Sequence, residues 1–254
     1  MPRADRLLVA RGLAASRTAA RRAIEAGRLF FFRGGERLPV RQPAQELPET
    51  AELELLPDAA ERYVSRGGLK LAGALAHTGL AVGGCICLDV GQSTGGFTDC
   101  LLQAGAARVL GVEVGHGQLH PRLRADGRVV CLEGINARAL TPTALGEHFP
   151  RPGFDLIVAD ASFISLTLLL PNFPALLKPG GQVLALVKPQ FEVGPQNLGK
   201  GGIVRDPRLY AGVEVRIRAA AQAAGLAVRD FFDSPLLGGD GNREFFIWAA
   251  KAGG

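Results

Sequence analysis

A parallel α/β sheet covered on both faces, preceded by a small α+β module, is the fold class that these 254 residues predict. Three observations carry it. Seven short, largely apolar runs in the second part of the chain alternate with helical stretches for the most part, as strands buried on both faces do. A glycine-rich turn follows the first of these runs, where open α/β sheets place their ligand loop. The first forty or so residues differ, with concentrated arginine, one short helical stripe and brief β-like runs. At 47% hydrophobic and 21% charged, the composition excludes a chain disordered throughout.

The first module reads in order. Ser16 is a natural N-cap and Gly27 a natural stop, so a short helix lies between them. On it Ala20, Ala23, Ile24 and Gly27 follow the i, i+3, i+4, i+7 spacing of an apolar face, which turns Arg17, Arg21 and Arg22 outward. Strands are predicted over 28–32 and 37–40 around a turn at Gly34-Gly35, and a third over 51–56 closes the module. The module is assigned residues 1–57, a short linker residues 58–64, and the second domain residues 65–254. The predicted strands of that domain are 85–90, 109–114, 129–132, 156–159, 183–187, 227–232 and 244–249, with a tight turn at Lys178-Pro179-Gly180-Gly181.

Charge divides the chain the same way. The net charge is +5, yet the first 41 residues hold ten arginines against only Asp5, Glu25 and Glu36, so the remainder is net acidic. Clustered arginine within a patterned helical segment suits a polyanion, and Arg3, Arg6, Arg17, Arg21, Arg22 and, later, Arg66 are the nucleic-acid contact candidates. The longest apolar stretch is far short of a membrane span, and the first residues do not lead into a signal-peptide core. Cys85, Cys87, Cys100 and Cys131 show no C-x-x-C spacing and sit among apolar residues. They read as reduced thiols of a cytoplasmic protein without disulfides or metal, and no membrane partner is expected.

The candidate ligand site begins at Asp89-Val90-Gly91-Gln92-Ser93-Thr94-Gly95-Gly96-Phe97. Its glycines permit positive φ and close backbone approach to a ligand. Glu113 ends the next strand, where a carboxylate accepts from ribose hydroxyls, and Asn136 follows the third, where an amide reads an adenine edge. Taken singly, Glu113 reads equally as a surface carboxylate and Asn136 as a turn former. Together they resemble an S-adenosylmethionine-dependent class I methyltransferase more than a dehydrogenase, because D-x-G-x-x-x-G-G leaves room for a zwitterionic amino acid. Asp160 and Lys188 each stand directly after an apolar run, at strand ends where such sheets bind ligands. Lysine is also scarce: of 29 basic residues only Lys70, Lys178, Lys188, Lys200 and Lys251 are lysine. An ammonium can be deprotonated where a guanidinium cannot, which singles out Lys70 and Lys188. Lys178 is expected to cap a helix end and Lys251 to be solvated.

Longer words carry a family resemblance. Lys70, Asp160, Lys188 and Glu244 resemble the Lys-Asp-Lys-Glu tetrad of FtsJ-type ribose 2′-O-methyltransferases. Tyr63-Val64-Ser65-Arg66-Gly67-Gly68-Leu69-Lys70, Val187-Lys188-Pro189-Gln190-Phe191-Glu192, Gly202-Ile203-Val204-Arg205-Asp206-Pro207 and Gly241-Asn242-Arg243-Glu244-Phe245-Phe246 are similar to the TlyA family. The first module resembles an S4 RNA-binding domain. The resemblance implies a Rossmann-like class I methyltransferase domain with a mostly parallel sheet behind an α+β S4 domain. It implies S-adenosylmethionine as cofactor and ribosomal RNA, within a ribosomal subunit, as partner. The implied reaction is 2′-O-methylation of a cytidine ribose, with large-subunit RNA favoured. Carried onto this chain, Lys188 is the base or hydrogen-bond partner of the 2′-hydroxyl, held by Asp160 and Glu244, and Lys70 helps orient the ribose. Asp89, Gly91, Gln92, Ser93, Gly95, Gly96, Phe97, Glu113, Asn136 and Asp160 form the cofactor set, with Gln92 set against its methionine end.

Three rival readings remain from the sequence, one of them a methyltransferase for small molecules or DNA, against which the basic first module favours RNA. A catalytically silent RNA-binding assembly factor keeps the basic module and loses turnover. A pore-forming protein, suggested by the haemolysin name the family has carried, finds no apolar span or barrel repeat to support it.

Overall fold

The computed structural model describes residues 1–56 and 62–251. The chain divides into two compact units, Met1–Arg62 and Tyr63–Gly254. That division falls inside the expected linker, of which residues 58–61 lie outside the described residues. Tyr63 and Val64 pack with the second unit: Tyr63 is buried, and the Val64 amide donates to Asp99 Oδ2 at 2.8 Å.

The first unit runs α1 (Ala4–Ala10), α2 (Arg17–Glu25), β1 (Leu29–Arg33), β2 (Glu36–Pro39) and β3 (Glu52–Leu55). Ser16 caps α2 by accepting from the Ala19 amide at 3.2 Å, and Gly27 takes φ +69° beyond its end. Ala20, Ala23 and Ile24 are buried as their spacing requires. They meet Leu7, Leu8, Leu29, Val40 and Leu47 in a small core over an antiparallel sheet of order β2-β1-β3. Each fully buried leucine or isoleucine there contributes about 1.5–3 kcal/mol.

The second unit opens with α3 (Gly67–Thr78) and β4 (Ile86–Val90), then α4 (Gly96–Gln103), β5 (Arg108–Glu113), α5 (Pro121–Arg124) and β6 (Val129–Glu133). It continues through α6 (Pro142–Leu145), β7 (Phe154–Ala159), α7 (Phe173–Leu176), β8 (Leu177–Val187), α8 (Leu209–Ala223), β9 (Leu226–Asp233) and β10 (Phe245–Lys251). The seven strands form one sheet of order β6-β5-β4-β7-β8-β10-β9. β10 runs antiparallel to both neighbours, and the pairs from β6 through β8 are parallel. Two apolar clusters cover its two faces, one around Leu88, Ile157 and Phe173 and the other around Leu71, Leu101 and Phe246.

Three details differ from expectation. The Lys178–Gly181 turn is instead an irregular start to β8, where the register with β7 shifts between Phe154 and Leu156. Lys178 caps no helix end and ion-pairs with Asp155, because β7 passes beside it. Lys251 is not simply solvated, since its ammonium donates to the Leu177 carbonyl at 2.8 Å.

The chain order places the switch point between β4 and β7. β5 and β6 build outward on one side and β7 and β8 on the other, so the loops after β4 and β7 diverge around a crevice.

Candidate active site

Glycine shapes the crevice. Gly91 has φ +84°, and a Cβ there would stand 2.9 Å from the Asp160 carbonyl oxygen, so the loops after β4 and β7 touch through backbone. At the start of α4, a Cβ on Gly96 would meet Ser65 Oγ at 2.2 Å, and one on Gly68 would meet the Tyr63 ring. The Ser65–Gly68 word is therefore a packing surface. It lets the first turn of α3 lie against α4, with Lys70 in that turn.

Two adjoining cavities follow. A small one, about 150 Å³, is lined by Ser65, Gly67, Thr94, Gly96, Phe97 and Lys188 among others. A larger one, about 710 Å³, extends past Glu113, Gln118, Ile135, Asn136 and Phe163. Gly91, Ser93, Asp160 and Ser162 border both, so the two meet at the ends of β4 and β7.

The four expected acid–base residues gather as two ion pairs. Lys188 follows β8 and Asp160 follows the adjacent β7; Lys188 Nζ lies 2.6 Å from Asp160 Oδ1 and donates to Ser162 Oγ at 2.8 Å. Lys70 Nζ donates to Glu244 Oε2 at 2.5 Å in a nearly dry setting. This corrects one expected contact. The β8–β10 register, with Phe245 opposite Val187, sets Glu244 beside Lys188 along the sheet, yet its carboxylate turns to Lys70.

The expected ligand loop splits in two. Gly91, Ser93, Gly96 and Phe97 line the small cavity. Glu113 lies in the larger one, its carboxylate accepting from the Ser93 and Gly115 amides at 2.9 Å each. Asn136 is there too, and its side-chain oxygen caps the following turn by accepting from the Arg138 amide at 3.0 Å. Gly95 serves packing, since a Cβ on it would lie 2.3 Å from Leu123 Cδ1. Gln92 borders the small cavity, but its side chain turns inward over Gly111 rather than toward a ligand's amino-acid end. There Gln92 Nε2 donates to Thr98 Oγ1 at 2.9 Å, and Thr98 donates to Asp89 Oδ2 at 2.7 Å. Asp89 is fully buried in this floor and borders neither cavity.

Burial pushes the Asp89 carboxyl up to about 7, only partly opposed by the Thr98 hydrogen bond. The native state therefore binds this proton more tightly than the unfolded chain, whose carboxyl titrates near 3.8. Its contribution to stability is greatest below that value and is lost as pH rises toward 7. Asp89→Asn lacks this loss, so urea midpoints at pH 5 and pH 8 are expected to diverge in the variant's favour at the higher pH. A gap that stays constant between the two pH values contradicts it.

The predicted arginines fall on both units. Arg3 and Arg17 pair with buried Asp5 at 3.1 Å each, and Arg21 lies 3.9 Å from Glu25. Arg6 and Arg22 are exposed. Burial alone would raise the Asp5 carboxyl, but the Arg3 and Arg17 hydrogen bonds outweigh it and hold it below its usual value. Arg66 belongs to the second unit, where it donates to the Leu237 carbonyl at 3.2 Å.

Sequence reasoning missed Ser162, Gln118 and Phe163. Phe163 is 91% exposed with φ +62°, a backbone conformation unusual for an aromatic residue, and its ring lies 5.3 Å from that of Phe191. A Ser-Phe pair two residues past a strand-end aspartate was the available signal.

A glycine loop at the switch point, a carboxylate on the next strand and lysine–carboxylate pairs at the strand ends define a Rossmann-like class I methyltransferase. Residues 63–251 match the FtsJ-like methyltransferase family, to which the chain belongs. The chain is 45% identical over 246 residues to the 16S/23S rRNA (cytidine-2′-O)-methyltransferase TlyA of Mycobacterium tuberculosis, covering 97% of this chain and 88% of that one. It is 36% identical to Hemolysin A of Brachyspira hyodysenteriae, covering 96% and 97%. A solved structure from Streptococcus thermophilus, also carrying a hemolysin name, matches with TM-score 0.71 and 42% identity over 99% of this chain and 88% of that one. Among the described residues no helix is long and apolar enough to cross a membrane.

Proposed function

We propose that this protein transfers the methyl group of S-adenosylmethionine to a cytidine ribose 2′-hydroxyl of ribosomal RNA. The observation that carries the reading is the Lys188–Asp160 pair at the switch point, where the two cavities meet. Lys188, Asp160, Lys70 and Glu244 are taken as the acid–base set because they form two lysine–carboxylate pairs at and beside the strand ends.

The residues present suit the cofactor. The larger cavity is of the size that takes a nucleoside, and Glu113 keeps lone pairs free for ribose hydroxyls beside its two amide bonds. The close approach at Gly91 leaves a side-chain-free wall between the cavities, and Asn136 faces the same chamber as Glu113. Gly91, Ser93, Gly96, Phe97, Glu113, Asn136 and Asp160 would hold the cofactor, with Asp89, Gln92 and Gly95 acting beneath it. When bound, the cofactor supplies an electrophilic methyl group on a sulfonium.

Lys188 has three N–H directions. Ser162 takes one and Asp160 is the ion-pair partner, which leaves a direction for the incoming hydroxyl oxygen. Lys188 accepts the hydroxyl proton as a neutral amine, and Asp160 Oδ1, 2.6 Å away, is placed to stabilise the ammonium that forms. Lys70, fixed by Glu244, orients the ribose. In-line alignment supplies much of the acceleration. Phe163 offers an exposed ring for a nucleobase, and base–aromatic stacking is worth about 1–3 kcal/mol. Phe163→Ala is therefore expected to raise KM for RNA by roughly tenfold. An unchanged KM removes Phe163 from the substrate surface.

The first unit, with its α2 arginines and small antiparallel sheet, supports an S4-like RNA-holding role within a ribosomal subunit. The partner is RNA rather than a membrane, and no metal step is needed for this transfer.

The test is transfer of labelled methyl from S-adenosylmethionine to unmethylated large and small ribosomal subunits, with ribose mapping of the product. Label on cytidine 2′-oxygen supports the reading, and the particle labelled decides between the large subunit and both. Cofactor binding without transfer to either particle replaces it with the silent assembly-factor reading.

A further inference from the structure

Glu192 is a buried carboxylate four residues past Lys188, and it does not border either cavity of the site. It ends a 3-10 turn, Pro189–Phe191, that leaves the catalytic strand. Both its oxygens are committed. Oε2 accepts from Ser165 Oγ at 2.7 Å and Oε1 from the Leu166 amide at 2.8 Å. Its backbone carbonyl accepts from Arg216 Nη1, on α8, at 2.5 Å. Ser165 and Leu166 terminate the segment after β7 that carries Asp160, Ser162 and Phe163. Between the two segments lies a gap of about 10 Å³, lined by Ala161, Ile164, Leu166, Lys188 and Glu192, so they pack closely.

On the methyltransferase reading given above, we infer that Glu192 is a positioning residue: its carboxylate latches the Asp160–Phe163 segment to the Lys188 segment and so fixes the spacing of the catalytic pair. The latch has one anchor on each side. Arg216 holds the Lys188 turn from α8, and Ser165 and Leu166 present the opposite segment. Lys188 alone spans the same gap with a single flexible side chain, which orients a proton-transfer pair less strictly than two rigid backbone-anchored contacts do. Burial raises the Glu192 carboxyl and the Ser165 hydrogen bond opposes this.

The experiment uses the full chain as wild type, Glu192→Ala, Glu192→Gln and Ser165→Ala. It measures kcat for methyl transfer to ribosomal subunits, Kd for S-adenosylhomocysteine, and amide exchange over residues 160–168. Glu192→Ala is expected to lower kcat about tenfold or more while the Kd moves less than about threefold. Exchange over 160–168 is expected to quicken about tenfold. Glu192→Gln keeps an acceptor for Leu166 and a polar partner for Ser165, and is expected to restore most of kcat. If Glu192→Ala fails to fold, Ser165→Ala takes its place, with a smaller fall in kcat and the same local exchange. Unchanged kcat, unchanged exchange, or a Gln variant as poor as Ala overturns the inference. Wild-type protein that transfers no methyl overturns the methyltransferase reading instead, and the latch is then judged on exchange alone.

Discussion

Lys188→Met is expected to lower kcat for methyl transfer by about 10²–10⁴-fold, the range for loss of a positioned proton-transfer group. The reason is local. On the proposed mechanism, methionine has similar length and no N–H, so the hydroxyl loses both its hydrogen-bond partner and its proton acceptor. Asp160 remains about a quarter exposed in its side chain, so its charge is resolvated and the fold tolerates the change. The Kd for S-adenosylhomocysteine is accordingly expected to stay within about threefold of wild type. Isothermal titration beside a single-turnover assay separates the two quantities. Retained turnover rules out Lys188 as the proton-handling residue, and lost binding with lost turnover makes it a binding residue.

Lys70→Met has a different expected result, because the second ion pair is buried. Glu244 is only 3% exposed in its side chain and Lys70 10%, so removing the ammonium strands a carboxylate away from water. Breaking such a pair from one side costs about 3–5 kcal/mol, a fall of roughly 10 °C in the melting temperature of a domain this size. Adding Glu244→Gln to Lys70→Met removes the stranded charge and is expected to recover much of that loss. On the proposed ribose-orienting role of Lys70, activity is not expected to return with it. A double variant that regains both stability and turnover shows that Lys70 only neutralises Glu244. Melting curves and turnover on wild type and these two variants decide the matter.

The different outcomes at two chemically similar pairs trace to position. Lys188 and Asp160 end adjacent parallel strands at the open crevice, where water still reaches them. Lys70 and Glu244 lie where the first turn of α3 meets the residue that enters β10.

Strand positions were legible because a buried parallel strand must be apolar on both faces. All seven predicted runs match strands, apart from their ends and the added start of β8. The α2 boundaries were legible for an equally local reason: an N-cap serine and a positive-φ glycine act within one turn. Asp160 and Lys188 stood out because a charged residue after a continuous apolar run has few places to go except a strand end.

Side-chain direction was not legible. Asp89, Gln92 and Gly95 belong to the right loop, yet all three serve the packing beneath it or beside it. Their task depends on Thr98, Gly111 and Leu123, residues that only the folded chain brings near. The pairing of Glu244 with Lys70 joins residues 174 positions apart and is set by how α3 lies over the sheet. The sequence by itself determined the seven-strand pattern, the basic first module and the strand-end places of Asp160 and Lys188, because periodicity and charge cost act locally. Only the tertiary structure decided which charge faces which, and that Glu192 joins the two catalytic segments, because those contacts depend on the packing of elements distant in the chain.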